Sequence, residues 1–231
     1  MRIKQPEIIY EDEAIIVCRK EAGVAVQTAR AGQADVVSLL KNYRAKKKEE
    51  PYIGLIHRLD QPVEGVMVFA KTPQATAKLS AQVSSRSMEK EYLAVTTGVP
   101  EPQKGELRDW LLRDGKTNTS AVVARGTSQA KEAVLDYEVE QVLEDGQQAL
   151  VRIWLHTGRH HQIRVQFAHA GYPLVGDTKY GKPEQGGRYC PVALCSCRIG
   201  FLHPVTKKKM EFVIEPKGKA FSGVAKDTKN V

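Results

Sequence analysis

Apolar residues in this chain alternate with polar ones or form short unbroken runs, which is the pattern of β-strands. At the start, residues 8–10 and 14–18 predict two strands around the acidic turn 11–13. Residues 66–70 are apolar without interruption, as is typical of a strand covered on both faces. Further strand patterns cover residues 91–98, 149–158, 192–203 and 209–216.

Two segments instead show helical spacing. Thr72 is a candidate N-cap and Pro73 fits the first helical position, and a helix to about residue 88 is predicted from apolar residues at helical spacing, namely Ala75, Leu79 and Val83. A second helix is predicted within residues 159–171, where Gly171 is a natural C-cap. The charged run 41–51 has no apolar face, and we expect a solvated loop or a frayed helix end there.

The elements predict an α+β fold. Strands outnumber helices and most are joined as hairpins, so we expect a mixed, mostly antiparallel central sheet flanked by helices and loops. Between residues 99 and 148, turn signals separate short strand candidates. We expect one domain over residues 1–216, with two subdomains sharing one sheet as the alternative. The polar tail 217–231 is predicted to be disordered.

Charge points to a polyanionic partner. The chain has 231 residues, 42% of them hydrophobic, and a net charge of +8 whose basic residues recur from end to end. Such a balance favours nucleic acid, although a basic soluble protein without such a partner fits as well. No stretch approaches the ~20 apolar residues of a membrane span, and no secretory signal follows Met1, so a cytoplasmic protein without membrane contact is expected.

Neither cysteines nor histidines predict a metal site. The four cysteines lie in strand-like surroundings without C-x-x-C spacing, and we expect buried, reduced thiols at Cys18, Cys190, Cys195 and Cys197. His156 and His160 stand four apart, as zinc-protease ligands do. However, no glutamate lies between them and Gly158 weakens any helix there.

Polar groups concentrate in residues 155–181 and around Asp60. A strand ending at Thr157-Gly158 is predicted to turn into a helix whose first turn carries residues 159–162, which suits either a phosphate-binding helix start or an ordinary capped surface helix. Arg164 faces another direction and could pair with Asp60. An aspartate paired with arginine stays ionised, so Asp60 is either a positioned nucleophile or base, or half of a structural ion pair.

Five segments in order resemble the RluA branch of the RNA pseudouridine synthases, which modify ribosomal and transfer RNA. They are "HRLD", "GVMVFAKT", "KEYLAV", "TGRHHQIRVQFAHAGYPLVGDTKYG" and "FLHPVT". The N-terminal "IIYEDEAIIVCRKEAG" also resembles the entry hairpin of that branch, so the similarity spans residues 8 to about 216. The resemblance implies the pseudouridine synthase fold with a central active-site cleft. Because the pattern starts within the first ten residues, no separate N-terminal RNA-binding domain is expected.

The resemblance also implies roles for single residues. Asp60 matches the catalytic aspartate, and Arg58 matches the arginine that helps displace the target base. Tyr92 matches the tyrosine that stacks on the uracil and is a candidate for proton transfer, and Arg164 matches the arginine that pairs with the catalytic carboxylate. We expect the remaining substrate contacts to come from neighbours of these residues, namely His57, Arg159, His161 and Gln162.

The implied reaction detaches uracil from C1′ of its ribose, rotates it and rejoins it through C5, without cofactor or metal. Attack of the aspartate on C1′, attack on C6 and formation of a glycal all remain open. The expected partner is RNA, either ribosomal or transfer RNA, and not DNA. A monomer is expected from the short strand edges and charged loops.

Two departures from the family pattern stand out. Val63-Glu64 replaces the usual Thr-Ser, and Lys20 is followed by Glu21 where the family has proline. An alternative function is therefore an RNA-binding or RNA-folding protein with a weakened or lost catalytic site. Glycoside hydrolysis by Asp60 and Glu64 is disfavoured, because that chemistry needs carboxyls about 5 to 9.5 Å apart across a sugar, usually from different strands.

Overall fold

The structure is a computed structural model that describes residues 5–29, 32–143, 146–181, 191–222 and 224. These residues form strands β1 (Glu7–Glu11), β2 (Ile15–Lys20), β3 (Gly54–Leu55), β4 (Glu64–Ala70), β5 (Glu89–Thr97), β6 (Lys104–Asp114), β7 (Thr119–Val123), β8 (Lys131–Val142), β9 (Gln148–Leu155), β10 (Leu194–Leu202) and β11 (Lys209–Val213). The helices are α1 (Val36–Lys46), α2 (Pro73–Ser84) and α3 (Gln162–His169).

The chain divides into two compact units. Unit 1 comprises Met1–Glu91 and Cys195–Pro216, and unit 2 comprises Tyr92–Leu194 and Lys217–Val231. Strand β5 begins in unit 1 and continues in unit 2. The expectation of a single domain over residues 1–216 stays a prediction.

Unit 1 contains the strand order β1-β2-β4-β10, with β3 also paired to β4 and β11 to β10. All these pairs are antiparallel except β4 with β10. Strand β4 is buried over its whole length, which confirms the prediction for residues 66–70. Its apolar side chains pack with β2, α2 and β10 in a core that includes Val17, Val68, Leu79 and Ile199.

The helices of unit 1 differ from their predictions at the ends. The charged run begins inside α1, so its first part is the helix end that was one of the two alternatives. The start of α1, at a capping box formed by Asp35 and Ser38, was not predicted. Helix α2 begins as predicted, since the Thr72 side chain accepts a hydrogen bond from the Ala75 N–H. It ends four residues earlier than expected, and Arg86 takes a left-handed conformation with φ 60°.

Unit 2 contains the strand order β5-β9-β8-β6-β7. The pairs from β9 to β7 are antiparallel, and β6 and β8 are long strands rather than the short ones expected. Helix α3 packs against this sheet through Val165 and through Phe167, whose ring contacts Tyr137 edge-on. The mixed, mostly antiparallel arrangement confirms the α+β class.

Three smaller predictions have mixed outcomes. Cys18, Cys195 and Cys197 are buried thiols, as expected, and burial raises the pKa of Cys18 to about 12. Cys190 lies outside the described residues. Most of the tail lies outside them too, but Lys219–Phe221 form a 3-10 turn with Phe221 buried, so the start of the tail is ordered. No helix of the described ranges is long and apolar enough to cross a membrane.

Candidate active site

Asp60 lies in a turn that leads into the buried strand β4. The turn closes with a hydrogen bond from the Val63 N–H to the Asp60 carbonyl oxygen, 3.1 Å long. Asp60 is half-buried, while Arg58 beside it is exposed and its Nη2 lies 3.4 Å from the Gln27 carbonyl oxygen. The segment therefore presents a carboxylate held by a turn and a guanidinium open to solvent.

His57, on the same segment, points into the protein. Its Nε2 accepts a hydrogen bond from the Val68 N–H, 3.2 Å away, and the ring is buried. Burial, with a further contribution from the positive charge of Lys90, lowers the pKa of His57 to about 3. The imidazole is thus neutral at physiological pH and helps to join the turn to β4. Its predicted contact with substrate stays a prediction.

Glu64, the unexpected acid at the start of β4, is buried rather than exposed. Its Oε2 lies 3.7 Å from Nη1 of Arg19, which is buried too. Arg19 also donates a hydrogen bond to the Glu215 carbonyl oxygen and lies 3.3 Å from the Glu7 carboxylate. The acid that replaces a hydroxyl residue of the family pattern is therefore matched by a cation within unit 1.

Arg164, in unit 2, forms a bidentate salt bridge with Asp177. Nε and Nη2 lie 2.7 Å from the two carboxylate oxygens, and both side chains are buried. Asp177 Oδ1 also accepts hydrogen bonds from the backbone N–H groups of Lys179 and Tyr180. These contacts fix the plane of the guanidinium. The predicted pairing of Arg164 with Asp60, a residue of unit 1, stays a prediction.

Helix α3 starts later than predicted. His161 has a left-handed backbone with φ 54°, so the helix begins at Gln162 and residues 159–161 precede it. The Arg159 N–H already donates to Gln162 Oε1, at 2.9 Å, and Arg159 Nε donates to the Glu132 carbonyl oxygen. The predicted start of the helical first turn at residue 159 is therefore wrong.

Gln162 is buried and fixes this segment. Its Oε1 also accepts from the Thr157 hydroxyl, and its Nε2 donates to the Val134 carbonyl oxygen. The contacts give Gln162 and Arg159 a structural role, and their binding of substrate stays a prediction.

Two stacked histidines lie just before α3. The His160 and His161 rings are 3.7 Å apart between centroids. His160 Nδ1 lies 2.9 Å from the Ser120 hydroxyl, and His161 Nδ1 lies 2.7 Å from the Tyr180 hydroxyl. The Arg164 guanidinium also lies over the Tyr180 ring, with Cζ 5.2 Å from the ring centroid. Tyr180 is therefore a neighbour of both His161 and Arg164. Substrate binding by His161 stays a prediction.

Tyr92 is the first residue of unit 2 and lies in β5, where its side chain is 6% exposed. Of the other predicted site residues, those of unit 1 are His57, Arg58 and Asp60. Those of unit 2 lie at or near the start of α3, namely Arg159, His161, Gln162 and Arg164. Among the described residues, no group of three or more histidine, cysteine or acidic side chains could hold a metal ion.

Sequence reasoning missed two buried ionisable residues, Asp177 and Lys20. Asp177 carried a signal, because a buried arginine needs a carboxylate and the sequence offers one 13 residues after Arg164. Lys20 carried none, because a lysine at the end of a strand is ordinarily exposed, yet here it is fully buried.

Comparison with known proteins gives a consistent picture. Residues 14–169 match the family model described as RNA pseudouridylate synthase. Ribosomal large subunit pseudouridine synthase D of Zymomonas mobilis is 32% identical over 222 residues, which cover 90% of this chain and 68% of that protein. The Pseudomonas aeruginosa protein of the same name is 38% identical over 183 residues, covering 76% and 53%. The chain thus spans about half to two thirds of the length of these relatives.

A solved structure has the same fold. Human RNA pseudouridylate synthase domain containing 4 superposes with a TM-score of 0.75 at 26% identity, and the match covers 91% of this chain and 89% of the human one.

Proposed function

The chain belongs to the RNA pseudouridylate synthase family, and we propose from this premise that it isomerises a specific uridine of RNA to pseudouridine. Asp60 is the proposed nucleophile. The proposal rests on the turn at Asp60. This turn holds a half-buried carboxylate just before the start of the fully buried strand β4, close to the exposed guanidinium of Arg58.

The reaction is an isomerisation, so the product contains the same atoms as the substrate. The bond between uracil N1 and C1′ breaks, the base rotates, and C1′ bonds to C5. The C5 proton is then lost and N1 gains one. In the proposal, the Asp60 carboxylate starts this sequence by attacking C1′ or C6, or by assisting loss of the C2′ proton. All three routes need Asp60 ionised and a nucleotide turned out of its stack.

Other residues have supporting roles in the proposal. Arg58 helps to displace the target base, for which its exposed guanidinium is suited. Tyr92 stacks on the uracil, which offsets part of the few kcal/mol that extrusion of a base costs. Arg164 pairs with the catalytic carboxylate, and the rigid contact with Asp177 supports such a role because it orients the guanidinium. His57, Arg159, His161 and Gln162 complete the proposed substrate-binding set.

The proposed substrate is large-subunit ribosomal RNA, with transfer RNA as the second choice. The names of the two bacterial relatives support the first, and the net charge of +8 supports RNA in general. We place the protein in the cytoplasm, a reducing compartment that suits its buried thiols. A monomer is the proposed oligomeric state.

A direct test uses RNA from cells that lack the protein. The RNA is incubated with wild-type protein or with Asp60→Asn, treated with carbodiimide, and read by primer extension. We expect wild type to add a stop at one uridine and Asp60→Asn to add none. Identical stop patterns from the two proteins would contradict the proposal. If neither protein added a stop and both bound RNA with the same affinity, the alternative of an RNA-binding protein without catalysis would be favoured.

A further inference from the structure

Helix α1 presents a basic surface on the outside of unit 1. Its exposed residues are Lys41, Asn42, Ala45 and Lys46, and none of them is acidic. Lys48, which is also exposed, follows shortly after the end of the helix. Lys41, Lys46 and Lys48, called the α1 lysines below, form no salt bridge with any described residue. Their ammonium groups are therefore available to an anionic partner.

The acidic residue nearest to this surface in sequence is already paired. The Glu49 carboxylate lies 3.2 Å from Nε of Arg44 and 3.0 Å from Nζ of Lys71, and both of these cations are buried. Nζ of Lys47 lies 3.4 Å from the same carboxylate. Within residues 41–50, Glu50 is the one exposed acid. The α1 lysines thus outnumber the exposed acid, and the surface keeps a positive charge.

Helix stability accounts for only one of the α1 lysines. A cation in the last turn of a helix interacts favourably with the helix dipole, which explains Lys46. Lys41 lies before the last turn, where this effect has faded. Lys48 has φ 60°, a left-handed conformation that favours glycine. Lys41 and Lys48 therefore point to a partner outside the chain.

The start of α1 lies beside the turn that carries Asp60. Segment 23–28 is hydrogen-bonded to both. On one side, the Gly23 N–H donates to the carbonyl oxygen of Gln61, the residue after Asp60, at 2.8 Å. On the other side, the Val36 N–H at the start of α1 donates to a carbonyl oxygen of the segment at 3.0 Å. The outer side of α1 therefore begins close to the candidate catalytic residue.

The spacing of the α1 lysines suits a nucleic-acid backbone. A rise of about 1.5 Å per residue places Lys41 about 8 Å and Lys46 about 15 Å from Val36 along the helix axis. One strand of a duplex carries a phosphate roughly every 3.4 Å of its axis. The two side chains therefore suit phosphates roughly two to five nucleotides from one at the start of α1. Lysine binds phosphate as a mobile point charge and reads no sequence.

We propose that the α1 lysines bind the phosphate backbone of the RNA that flanks the target uridine. This inference rests on the proposed function, in which Asp60 acts on that uridine. The contacts add affinity and orientation, and the chemical step stays with Asp60. An acidic protein surface is the other partner that suits this charge. RNA is favoured because α1 starts beside the Asp60 turn.

The first test measures affinity for large-subunit ribosomal RNA from cells that lack the protein. The test variant combines Lys41→Gln, Lys46→Gln and Lys48→Gln. Each lost phosphate contact lowers the slope of log affinity against log salt concentration by about 0.7–0.9. Between about 50 and 200 mM salt, wild type should therefore lose on the order of 20- to 40-fold more affinity than the variant. An unchanged slope would overturn the proposal and favour an acidic protein as the partner.

The matched control removes three other exposed lysines of unit 1. It combines Lys78→Gln on α2 with Lys207→Gln and Lys208→Gln on the turn between β10 and β11. The net charge changes equally, and Lys207 shares the left-handed backbone of Lys48, with φ 62°. We expect the control to keep most of the wild-type salt dependence. An equal loss in both triple variants would show that total charge sets the affinity, and it would overturn the proposal.

Lys48→Gly separates RNA binding from stability. Glycine adopts a left-handed backbone readily, so the melting temperature should not fall. The salt slope should still decrease by about 0.7–0.9, because one phosphate contact is lost. The single-turnover rate at saturating RNA should match that of wild type. An intact Lys48→Gly protein with the wild-type slope would contradict the proposal.

A last measurement locates α1 on the RNA without using activity. Ala45 is exposed between Lys41 and Lys46, and Ala45→Cys can carry an iron–EDTA group that cuts nearby RNA. We expect cuts clustered within a few nucleotides of the uridine that wild type modifies. Ala77→Cys, on the exposed side of α2, is the matched control, and wild type treated with the same reagent is the blank.

The cutting pattern distinguishes the two proposals. Scattered cuts, or the same cuts from Ala45→Cys and Ala77→Cys, would overturn the binding of flanking RNA by α1. If the cuts cluster at one site but wild type makes no pseudouridine there, the proposed function fails while the RNA-binding surface stands.

Discussion

Arg164 and Asp177 share two hydrogen bonds of 2.7 Å inside unit 2, and the Asp177 side chain is fully excluded from solvent. We predict that Asp177→Asn lowers the free energy of unfolding by about 3–5 kcal/mol, because it leaves a buried guanidinium without its carboxylate. Urea denaturation measures the change. The control is Arg108→Ala, which removes only exposed salt bridges to Glu106 and Glu132 and should have little effect.

Arg164→Met tests the same salt bridge by removing its cation. Alone, it should abolish turnover and destabilise the fold, because the Asp177 carboxylate is left buried without its cation. Adding Asp177→Asn should restore much of the stability and none of the turnover. A double variant whose stability loss equals the sum of the two single losses would show that the residues are not coupled.

Tyr92→Phe separates the ring of this residue from its hydroxyl group. The ring still stacks, so RNA affinity should stay within about twofold of wild type, whereas loss of a proton-transfer group should slow the single-turnover rate by about 10²-fold or more. Tyr92→Ala should weaken binding as well, since stacking on one base is worth about 1–3 kcal/mol. Equal rates for wild type and Tyr92→Phe would remove the hydroxyl from the mechanism.

His57 predicts a pH-dependent stability. Its pKa is about 3 in the folded chain against 6.5 ordinarily, so the unfolded chain binds the extra proton and stability falls as pH drops from 6.5 toward 3. Between pH 7 and pH 5 this group should cost about 2 kcal/mol. His57→Gln keeps an acceptor for the Val68 N–H but does not titrate. The pH dependence of its urea midpoint should therefore be weaker than that of wild type, and an equal dependence would count against a buried neutral imidazole.

Gly65 allows β4 to lie close to β10. A Cβ at this position would lie 2.5 Å from the Ser196 Cβ and 2.7 Å from its backbone nitrogen, and φ is +154°. Gly65→Ala should therefore destabilise unit 1 by about 1–3 kcal/mol or more. Gly115→Ala, where nothing lies within 4 Å, is the matched control for thermal melting. Equal melting temperatures for the two variants would mean that β4 and β10 adjust without cost.

Local patterns predicted the strands well where burial and sequence agree. Residues 66–70 are apolar and form a fully buried strand, and Thr72-Pro73 marks a real helix start. The start of α1 was missed although Val36, Val37 and Leu40 stand at helical spacing and Asp35 and Ser38 form a capping box, because the second half of the helix belongs to the charged run and its last buried residue is Arg44.

The candidate site was predicted only as far as single residues carry family motifs. Asp60, Tyr92 and Arg164 could be named from their neighbours in sequence, and their roles stay predictions. The late start of α3 depends on the left-handed backbone of His161, a conformation that is uncommon for residues other than glycine and that local sequence patterns do not reveal. The burial of Lys20 likewise depends on carbonyl groups 41 and 43 residues away, which periodicity does not reveal.

The division of unit 1 between two stretches of chain bears on its synthesis. The strand that pairs in parallel with β4 belongs to the stretch Cys195–Pro216, whereas unit 2 is built largely from the continuous stretch Tyr92–Leu194. On the ribosome, the start of β4 at Glu64 and Gly65 must therefore wait for its β10 partner until more than a hundred further residues have been added. A prematurely terminated chain that stops before Cys195 would carry Asp60 but leave the backbone groups at the start of β4 without their β10 partner, which makes it a candidate for aggregation and proteolysis.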